Sequence, residues 1–196
     1  MTAPLIISFY TNDWEYPTHA ERLREECRRL GLDHHIEEQP STKDYISNTA
    51  IKPFFIRNCL VKFDRPILWL DVDGSILRNP GMASMVSDFA ACKYQNRALD
   101  RDWAVGILWF NNTVNAKLLL DTWCNNTTGR TDEAAFDLAW KSLRGTVISQ
   151  TLPDRYHFVQ WRVTLPMPAD TIFCNRLSTF DDKMRRKNKQ TGQIEQ

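Results

Sequence analysis

Short continuous apolar runs alternate along this chain with longer stretches in which apolar residues recur at helical spacing. Residues 4–10 and 66–72 are continuous runs that predict buried strands, and the second is short enough for a central strand. Between them, the stripe of Leu23, Cys27 and Leu30 predicts a helix. This alternation predicts an α/β sandwich with a mostly parallel central sheet flanked by helices.

The ends of several predicted elements carry recognisable signals. Thr18 and Glu21 fit a capping box at the start of the first helix, and Gly31 is expected to end it. Pro53 is expected to kink a helix or to start a new one. The other predicted elements are strands at 33–38 and 102–112, helices at 44–63, 81–90, 113–124 and 131–143, with Thr113 and Thr131 as N-caps of the last two, and strand-like pieces at 146–152, 156–161 and 170–175.

Length and composition are those of an ordinary globular protein. The 196 residues, 42% apolar and 25% charged, are enough for one domain with a substantial core. No run approaches the roughly 18 apolar residues of a membrane span, and the N-terminus lacks the features of a secretory signal. We therefore expect a cytoplasmic protein with no membrane partner, a single domain at 1–180, and a basic, flexible tail at 181–196.

Charge and cysteine spacing narrow the classes of ligand. Residues 1–140 hold 15 Lys and Arg against 19 Asp and Glu, a net charge of −4, whereas residues 141–196 hold 10 against 5, a net charge of +5. The basic C-terminal part suggests an anionic ligand. The five cysteines include no CxxC pair, which argues against a zinc site and a disulfide framework and predicts reduced, mostly buried thiols.

Two aspartates follow the predicted central strand directly. Ligands of open α/β sheets bind beyond the carboxyl ends of the strands, where Asp71 and Asp73 are expected. Side chains two residues apart in an extended chain point the same way, so both carboxylates are predicted to face one site while Val72 turns inward. Two carboxylates suit Mg²⁺ or Mn²⁺, which keep further positions for phosphate oxygens and water. A polar turn with both acids in water is the structural alternative.

Four segments of the chain, taken in order, belong together: the opening strand LIISFYT, the helix IKPFFIRNCL, the motif segment ILWLDVDGSILRNP and the block that runs from GILWFNNT to TDEAAF. Together they resemble the GT-A glycosyltransferases that use nucleotide-diphospho-sugars, so that residues 1–180 would form a single GT-A-like catalytic domain. The resemblance covers about residues 4–140 and implies a Rossmann-type GT-A fold. It also implies a hexosyltransferase that moves a sugar from a nucleoside-diphosphate sugar, foremost a UDP-sugar, to a hydroxyl acceptor with Mn²⁺ or Mg²⁺.

The resemblance assigns roles to individual residues. Asp73 would bind the metal directly, and Asp71 would hold the ribose or the water shell of the same ion. Asp132 and Glu133 match a catalytic Asp-Gln pair near the donor sugar, and Glu133 could act as base for the acceptor hydroxyl. The donor-binding residues would be Tyr10 and Thr11 at the base, Lys52 at a phosphate or the sugar, Asp71 at the ribose, and Asn111 and Asn112 at sugar hydroxyls.

Each of these assignments has a structural alternative. Tyr10 and Thr11 also suit strand packing, Lys52 suits an exposed helix position, and the two acids at 132 and 133 suit the first turn of a helix. The two asparagines also suit the turn that leads into the next helix.

The third metal ligand and the acceptor stay open. Many relatives place a metal-binding histidine after a late strand, where this chain has Cys174 and Asn175, and His157 is a candidate substitute. The acceptor can be a saccharide, a protein, or a hydroxymethylated base in DNA as in phage-type DNA glycosyltransferases. The DNA option rests on the basic part beyond residue 140.

Two other functions compete with glycosyl transfer. The segment WLDVDGSIL also fits haloacid-dehalogenase-like phosphatases, with Asp71 as nucleophile, Asp73 as acid and Mg²⁺ between them. Such enzymes need a late acidic pair, and only Asp181 and Asp182, at the head of the basic tail, are candidates. A non-catalytic nucleotide or nucleic-acid binding module is the third hypothesis, suggested by the seven tryptophans and the basic C-terminal part.

Overall fold

A computed structural model of the protein describes residues 3–42, 44–94, 101–159 and 166–175. The strands are β1 (Leu5–Thr11), β2 (His34–Gln39), β3 (Ile67–Leu70), β4 (Gly74–Ile76), β5 (Phe89–Lys93), β6 (Trp103–Phe110), β7 (Ser149–Thr151), β8 (Phe158–Val159) and β9 (Phe173–Asn175). The α-helices are α1 (Tyr16–Arg29), α2 (Tyr45–Phe63), α3 (Val114–Asn125) and α4 (Asp132–Leu143). The predicted tail at 181–196 and the end of the strand predicted at 156–161 lie outside the described residues.

The central sheet is mixed, with one reversed strand. Its order is β2-β1-β3-β6-β5-β7. Pairing is parallel between β1 and β2, β1 and β3, and β5 and β7, whereas β6 runs antiparallel to both of its neighbours. All strands of this sheet except β6 therefore run in one direction, which confirms the predicted mostly parallel sheet. A second, small sheet has the order β4-β9-β8.

Helices cover both faces of the central sheet. On one face α2, α3 and α4 pack against side chains such as Ile7, Trp69 and Leu108. On the other face α1 packs against Ile6 and Leu70, and the small sheet joins the same cluster. Neighbouring strand residues face opposite sides because the side chains of a strand alternate. Burying each large apolar side chain contributes about 1.5–3 kcal/mol, so these two clusters hold the predicted sandwich together.

Most predicted helix ends are confirmed, but the start of α1 is not. Thr131 accepts a hydrogen bond from the Ala134 N–H, and Thr113 caps α3 in the same way. Gly31 follows α1 with a φ of +63°, a conformation that favours glycine. The predicted capping box at Thr18 is wrong, because α1 begins earlier, at Tyr16. A proline in the first turn favours that start, since its missing N–H would have no helical partner there.

Two other expectations concern irregular positions. The helix predicted at 81–90 is wrong: turns lead there into β5. Asp88 holds this segment through other contacts, accepting hydrogen bonds from the Thr113 hydroxyl and from the Ile148 N–H, both at 2.7 Å. Pro53 lies inside α2, which continues to Phe63.

Two further features of the fold are its thiols and the character of its helices. All five cysteines are free and buried, as the absence of paired spacing predicted. In the stretches that the structure describes, no helix combines the length and the apolar character that crossing a membrane requires.

Candidate active site at the carboxyl edge of the sheet

The two aspartates lie on a tight turn rather than on an extended strand. β3 ends at Leu70, the Asp71 N–H donates to the Gly106 carbonyl at 2.9 Å, and the Gly74 N–H donates to the Asp71 carbonyl at 3.0 Å. The prediction that the strand alternation continues through Asp73 is therefore wrong. Val72 does face the protein interior, on the α1 side, and Asp73 is buried.

Helix α1 fastens this turn from one side. The Arg22 guanidinium donates to the Gly74 carbonyl at 2.7 Å and to the Ser75 hydroxyl, and Glu26 accepts the Ile76 N–H at 2.8 Å. Because Arg22 and Glu26 look like ordinary exposed charges in an amphipathic helix, no sequence pattern distinguishes them. The contacts link the position of α1 to the shape of the aspartate turn.

On the opposite side of the turn, Lys52 of α2 joins two acids. Its ammonium donates to Asp71 Oδ1 at 2.8 Å and forms an ion pair with Asp132 Oδ2 at the start of α4. The Trp69 indole N–H donates to the same Asp71 oxygen at 3.0 Å. Trp69 was not predicted as a site residue, although strand alternation puts positions 69 and 71 on one face. Three residues far apart in sequence thus meet at the carboxyl edge of β3.

The charge of Lys52 is stabilised by this arrangement. Burial disfavours the ammonium, but the carboxylates of Asp132 and Asp71 outweigh that effect and raise the pKa of Lys52 above its usual range. The side chain is buried, and its Nζ lies 5.3 Å from the centre of the Trp69 ring. Lys52 is therefore a buried group paired with two acids and not the exposed helix lysine that was the structural alternative.

The two candidate catalytic acids diverge. Asp132, the first residue of α4, is buried against Lys52, and the Trp123 indole N–H donates to its backbone carbonyl at 3.0 Å. Glu133 pairs instead with Arg101, which precedes β6. The structure thus brings Asp132, but not Glu133, to the Asp71–Lys52 pair.

The two predicted base-contacting residues end β1, which is parallel to β3 and adjacent to it. Thr11 is buried at the end of that strand, at the same edge of the sheet as Asp71. Tyr10 packs on the α1 side, with the Arg24 guanidinium 5.4 Å from its ring and its hydroxyl 3.4 Å from Glu38.

The two predicted sugar-binding asparagines lie beyond the opposite ends of the central strands from Asp71. Asn111 and Asn112 follow the end of β6, and the register pairs Phe110 with Ile67 at the start of β3. The Asn112 amide donates to Asp64, in the turn before β3, at 2.6 Å. Because β6 is antiparallel to β3, its carboxyl end is far from Asp71, and the structure does not bring these asparagines to the site.

The small sheet brings two further polar side chains to the turn. Asn175 pairs with Gly74 across β9 and β4, and its Oδ1 is buried without a hydrogen-bond partner among the described residues. His157 is buried, with Nε2 2.7 Å from the place that a Cβ on Gly106 would take. Cys174 is buried opposite Ser75. Of the residues left open as a third metal ligand, Asn175 thus places an oxygen beside the turn.

The described residues do not supply a complete metal site from acids, histidines and cysteines. Within 3–42, 44–94, 101–159 and 166–175, no three such side chains lie close enough together to hold an ion. A metal at this turn would therefore need oxygen ligands of another kind in addition to the two aspartates. The late acidic pair that a phosphatase would need, Asp181 and Asp182, lies outside the described residues.

Comparison with known proteins gives structural likeness without sequence likeness. No family model and no curated protein sequence matches the chain. A solved glycosyltransferase involved in the glycosylation of the major capsid of PBCV-1 is similar, with a TM-score of 0.70 and 13% identity over 97% of this chain and 100% of that one. GlyE from Streptococcus pneumoniae TIGR4 is similar at a TM-score of 0.63 and 15% identity, covering 90% of this chain. A second GlyE structure is similar at a TM-score of 0.62 and 15% identity, covering 91% of this chain.

This chain spans 55% of either GlyE structure, so about half of GlyE has no counterpart here. At such identities the likeness concerns the fold. The chain has the mixed α/β fold of these glycosyltransferases.

Proposed function

We propose that the protein is a metal-dependent glycosyltransferase that moves a sugar from a UDP-sugar to a hydroxyl acceptor. The observation that carries the proposal is the meeting of Asp71 and Asp132 across Lys52 at the carboxyl edge of β3. Ligands of open α/β sheets bind at this edge. The fold that this chain shares with two glycosyltransferases supports the same reaction class by analogy of fold, whereas the argument for function comes from the site.

The residues at the turn suit Mn²⁺ or Mg²⁺. Asp73 and Asp71 would hold the ion, and the buried Asn175 Oδ1, which has no hydrogen-bond partner among the described residues, offers a third oxygen. Carboxylate and amide oxygens are the ligands that these hard cations prefer. When bound, the metal would neutralise charge on the diphosphate of the donor and make it a better leaving group.

Transfer requires one bond to break and one to form at the anomeric carbon. The bond from that carbon to the diphosphate oxygen breaks, the acceptor oxygen bonds to the carbon, and the acceptor proton passes to a base. Asp132, at the start of α4, would contact the donor sugar or the reacting centre. Glu133 would need to leave Arg101 to serve as the base.

For the acceptor, we favour a hydroxyl on a protein or on a protein-linked saccharide. The support is the similar glycosyltransferase involved in the glycosylation of a major capsid. A hydroxymethylated base in DNA would require binding that weakens steeply with salt. Binding of hydroxymethylated duplex in preference to plain duplex at low salt would redirect the proposal to DNA.

The direct test is the Asp73→Ala variant, assayed for Mn²⁺-dependent hydrolysis or transfer with a panel of UDP-sugars. We expect a loss of at least about 100-fold in kcat/KM, because the variant removes a metal ligand. Asp170→Ala, at an exposed position, is the matched control and should keep wild-type activity. An unchanged rate in Asp73→Ala would refute the assignment, and Mg²⁺-dependent phosphate release from an aryl phosphate would favour the phosphatase instead.

A further inference from the structure

We propose that Lys52 is a positioning residue: it binds one oxygen of Asp71 and one of Asp132, fixes the two acids relative to each other, and leaves the second oxygen of Asp71 for the ligands of the site. The inference rests on the proposed function. It replaces the phosphate or sugar contact that the sequence resemblance implies for this lysine.

The contacts of Lys52 leave it little freedom to reach a donor. Its residue surface is 6% exposed, and the ammonium bonds to acids from two different elements. The Trp69 ring lies 5.3 Å from Nζ on another side. Reaching a phosphate would break contacts with one or both carboxylates and leave Asp132, itself buried, without its cation.

The hydrogen bonds to Asp71 determine which of its two oxygens is available to a ligand. Lys52 Nζ and the Trp69 indole N–H both donate to Oδ1, at 2.8 and 3.0 Å. Oδ2 makes no hydrogen bond with a described residue, and the Asp71 side chain is 22% exposed. Turning the carboxylate would sacrifice two hydrogen bonds, so Oδ2 is the oxygen that is presented to a ligand.

Asp132 is held in the same manner from its own helix. Thr131 caps α4, and Trp123 donates to the Asp132 carbonyl at 3.0 Å, which fixes the backbone. The side chain bonds to Lys52 through Oδ2. Among the described residues, Lys52 is the side chain that bonds to both acids, so their relative position depends on it.

Charge balance favours the same role. One ammonium between two carboxylates reduces the repulsion between the acids. The three side chains together keep one net negative charge, which attracts a cation. A neutral side chain at position 52 would remove that compensation while the acids remained close together. The expected consequence is misplacement of both acids during the reaction and not simple loss of donor affinity.

Steady-state kinetics with a UDP-sugar separates the two roles. We expect Lys52→Met to lower kcat about 100-fold with KM within about threefold, because misplaced catalytic groups affect the transition state more than binding. Lys52→Arg keeps the charge and should recover about tenfold of that loss. Lys62→Met, at an exposed position of the same helix, is the control and should match the wild type. A rise in KM of about tenfold with unchanged kcat in Lys52→Met would overturn the proposal in favour of a donor contact.

A double-mutant cycle on the free energy of unfolding in urea tests the contact between Lys52 and Asp132 without any substrate. Lys52→Met, Asp132→Asn and the double variant are expected to be strongly non-additive, since each single change leaves a buried group unpaired. If the losses in the free energy of unfolding of the two single variants add up to that of the double variant, the proposal is overturned even if the enzyme is active. If the wild type transfers no sugar but the cycle shows strong coupling, the proposed function is refuted, whereas the positioning of Asp132 by Lys52 stands. If Lys52→Met does not fold, the neutral Lys52→Gln replaces it, and wild-type kcat in that variant would count against positioning.

Discussion

Two glycines set how closely the small sheet approaches the aspartate turn. A Cβ on Gly74 would overlap the Phe173 ring and lie 2.6 Å from Asn175 Oδ1, and a Cβ on Gly106 would lie 2.7 Å from His157 Nε2. Phe173 is fully buried and cannot swing aside. The absence of side chains at these positions is therefore what allows Asn175 to lie against Gly74 and His157 to lie against Gly106.

Gly74→Ala should destabilise the protein by about 3 kcal/mol, because the added methyl group has no room against a buried ring. Urea unfolding at equilibrium measures the loss. Gly129→Ala is the comparison: it has open space around the new methyl group and only the strain of a φ of +67°, worth about 1 kcal/mol. Equal losses in the two variants would contradict the close approach.

Individual site residues could be predicted from the sequence when their position depended on one strand or helix end. Asp71 follows an apolar run and Asp132 follows an N-cap, and both lie at the site. Asn111 also follows a strand, but its position depends on the direction of β6 in the sheet. That direction is set by pairing between distant segments, and apolar spacing does not record it.

Among the elements, α2, α3 and α4 begin where a short side chain accepts a hydrogen bond from a backbone N–H group of the first turn. Asp44 accepts the Ser47 N–H at 2.7 Å at the start of α2, and Thr131 performs the same role for α4. The Ser47 hydrogen bond lowers the pKa of Asp44 below its usual range. The two caps therefore differ in one respect, since only the aspartate titrates.

Asp44→Ala and Thr131→Ala should each cost about 1 kcal/mol at pH 7. The pKa of Asp44 is lower in the folded than in the unfolded protein, so its stabilisation is complete above an unfolded pKa of about 3.9 and is lost as pH falls through the folded value. The cost of Asp44→Ala should shrink in acid, while that of Thr131→Ala should stay constant. Urea unfolding at several pH values measures both, and parallel pH profiles would contradict this origin of the pKa shift.

Element types were predictable wherever the apolar period was long, as in α2 to α4, β1 and β6. Predictions were wrong at 81–90 and at the start of α1, where a buried carboxylate and a proline, respectively, decide the local structure. The turn after β3 escaped prediction for a related reason. Its shape follows from contacts with α1 and β9, which lie far away in the chain.

At the scale of the whole molecule, all five thiols are enclosed by the fold. Burial raises the pKa of Cys27, Cys59 and Cys92 to about 12 and that of Cys124 to about 11. Cys174 is buried as well. Thiolate is the reactive form, so both access and ionisation are suppressed together.

Exposure of these thiols should report global unfolding. A chromogenic disulfide reagent is expected to titrate none of them promptly in the native protein and five in denaturant. The rate in the native state should follow the unfolding rate as urea is added. A thiol that reacts within seconds at neutral pH would show local opening of the cluster that contains it.

Most element types, the two apolar faces of the sheet and the position of two aspartates after a buried strand follow from the sequence alone. These features depend on local period and composition, which a single segment carries. Packing between distant segments, in contrast, sets the reversed direction of β6, the turn of the two aspartates that Arg22 holds, and the contacts by which Lys52 joins Asp71 to Asp132. Such contacts arise when segments far apart in the chain pack together, so no local pattern can specify them.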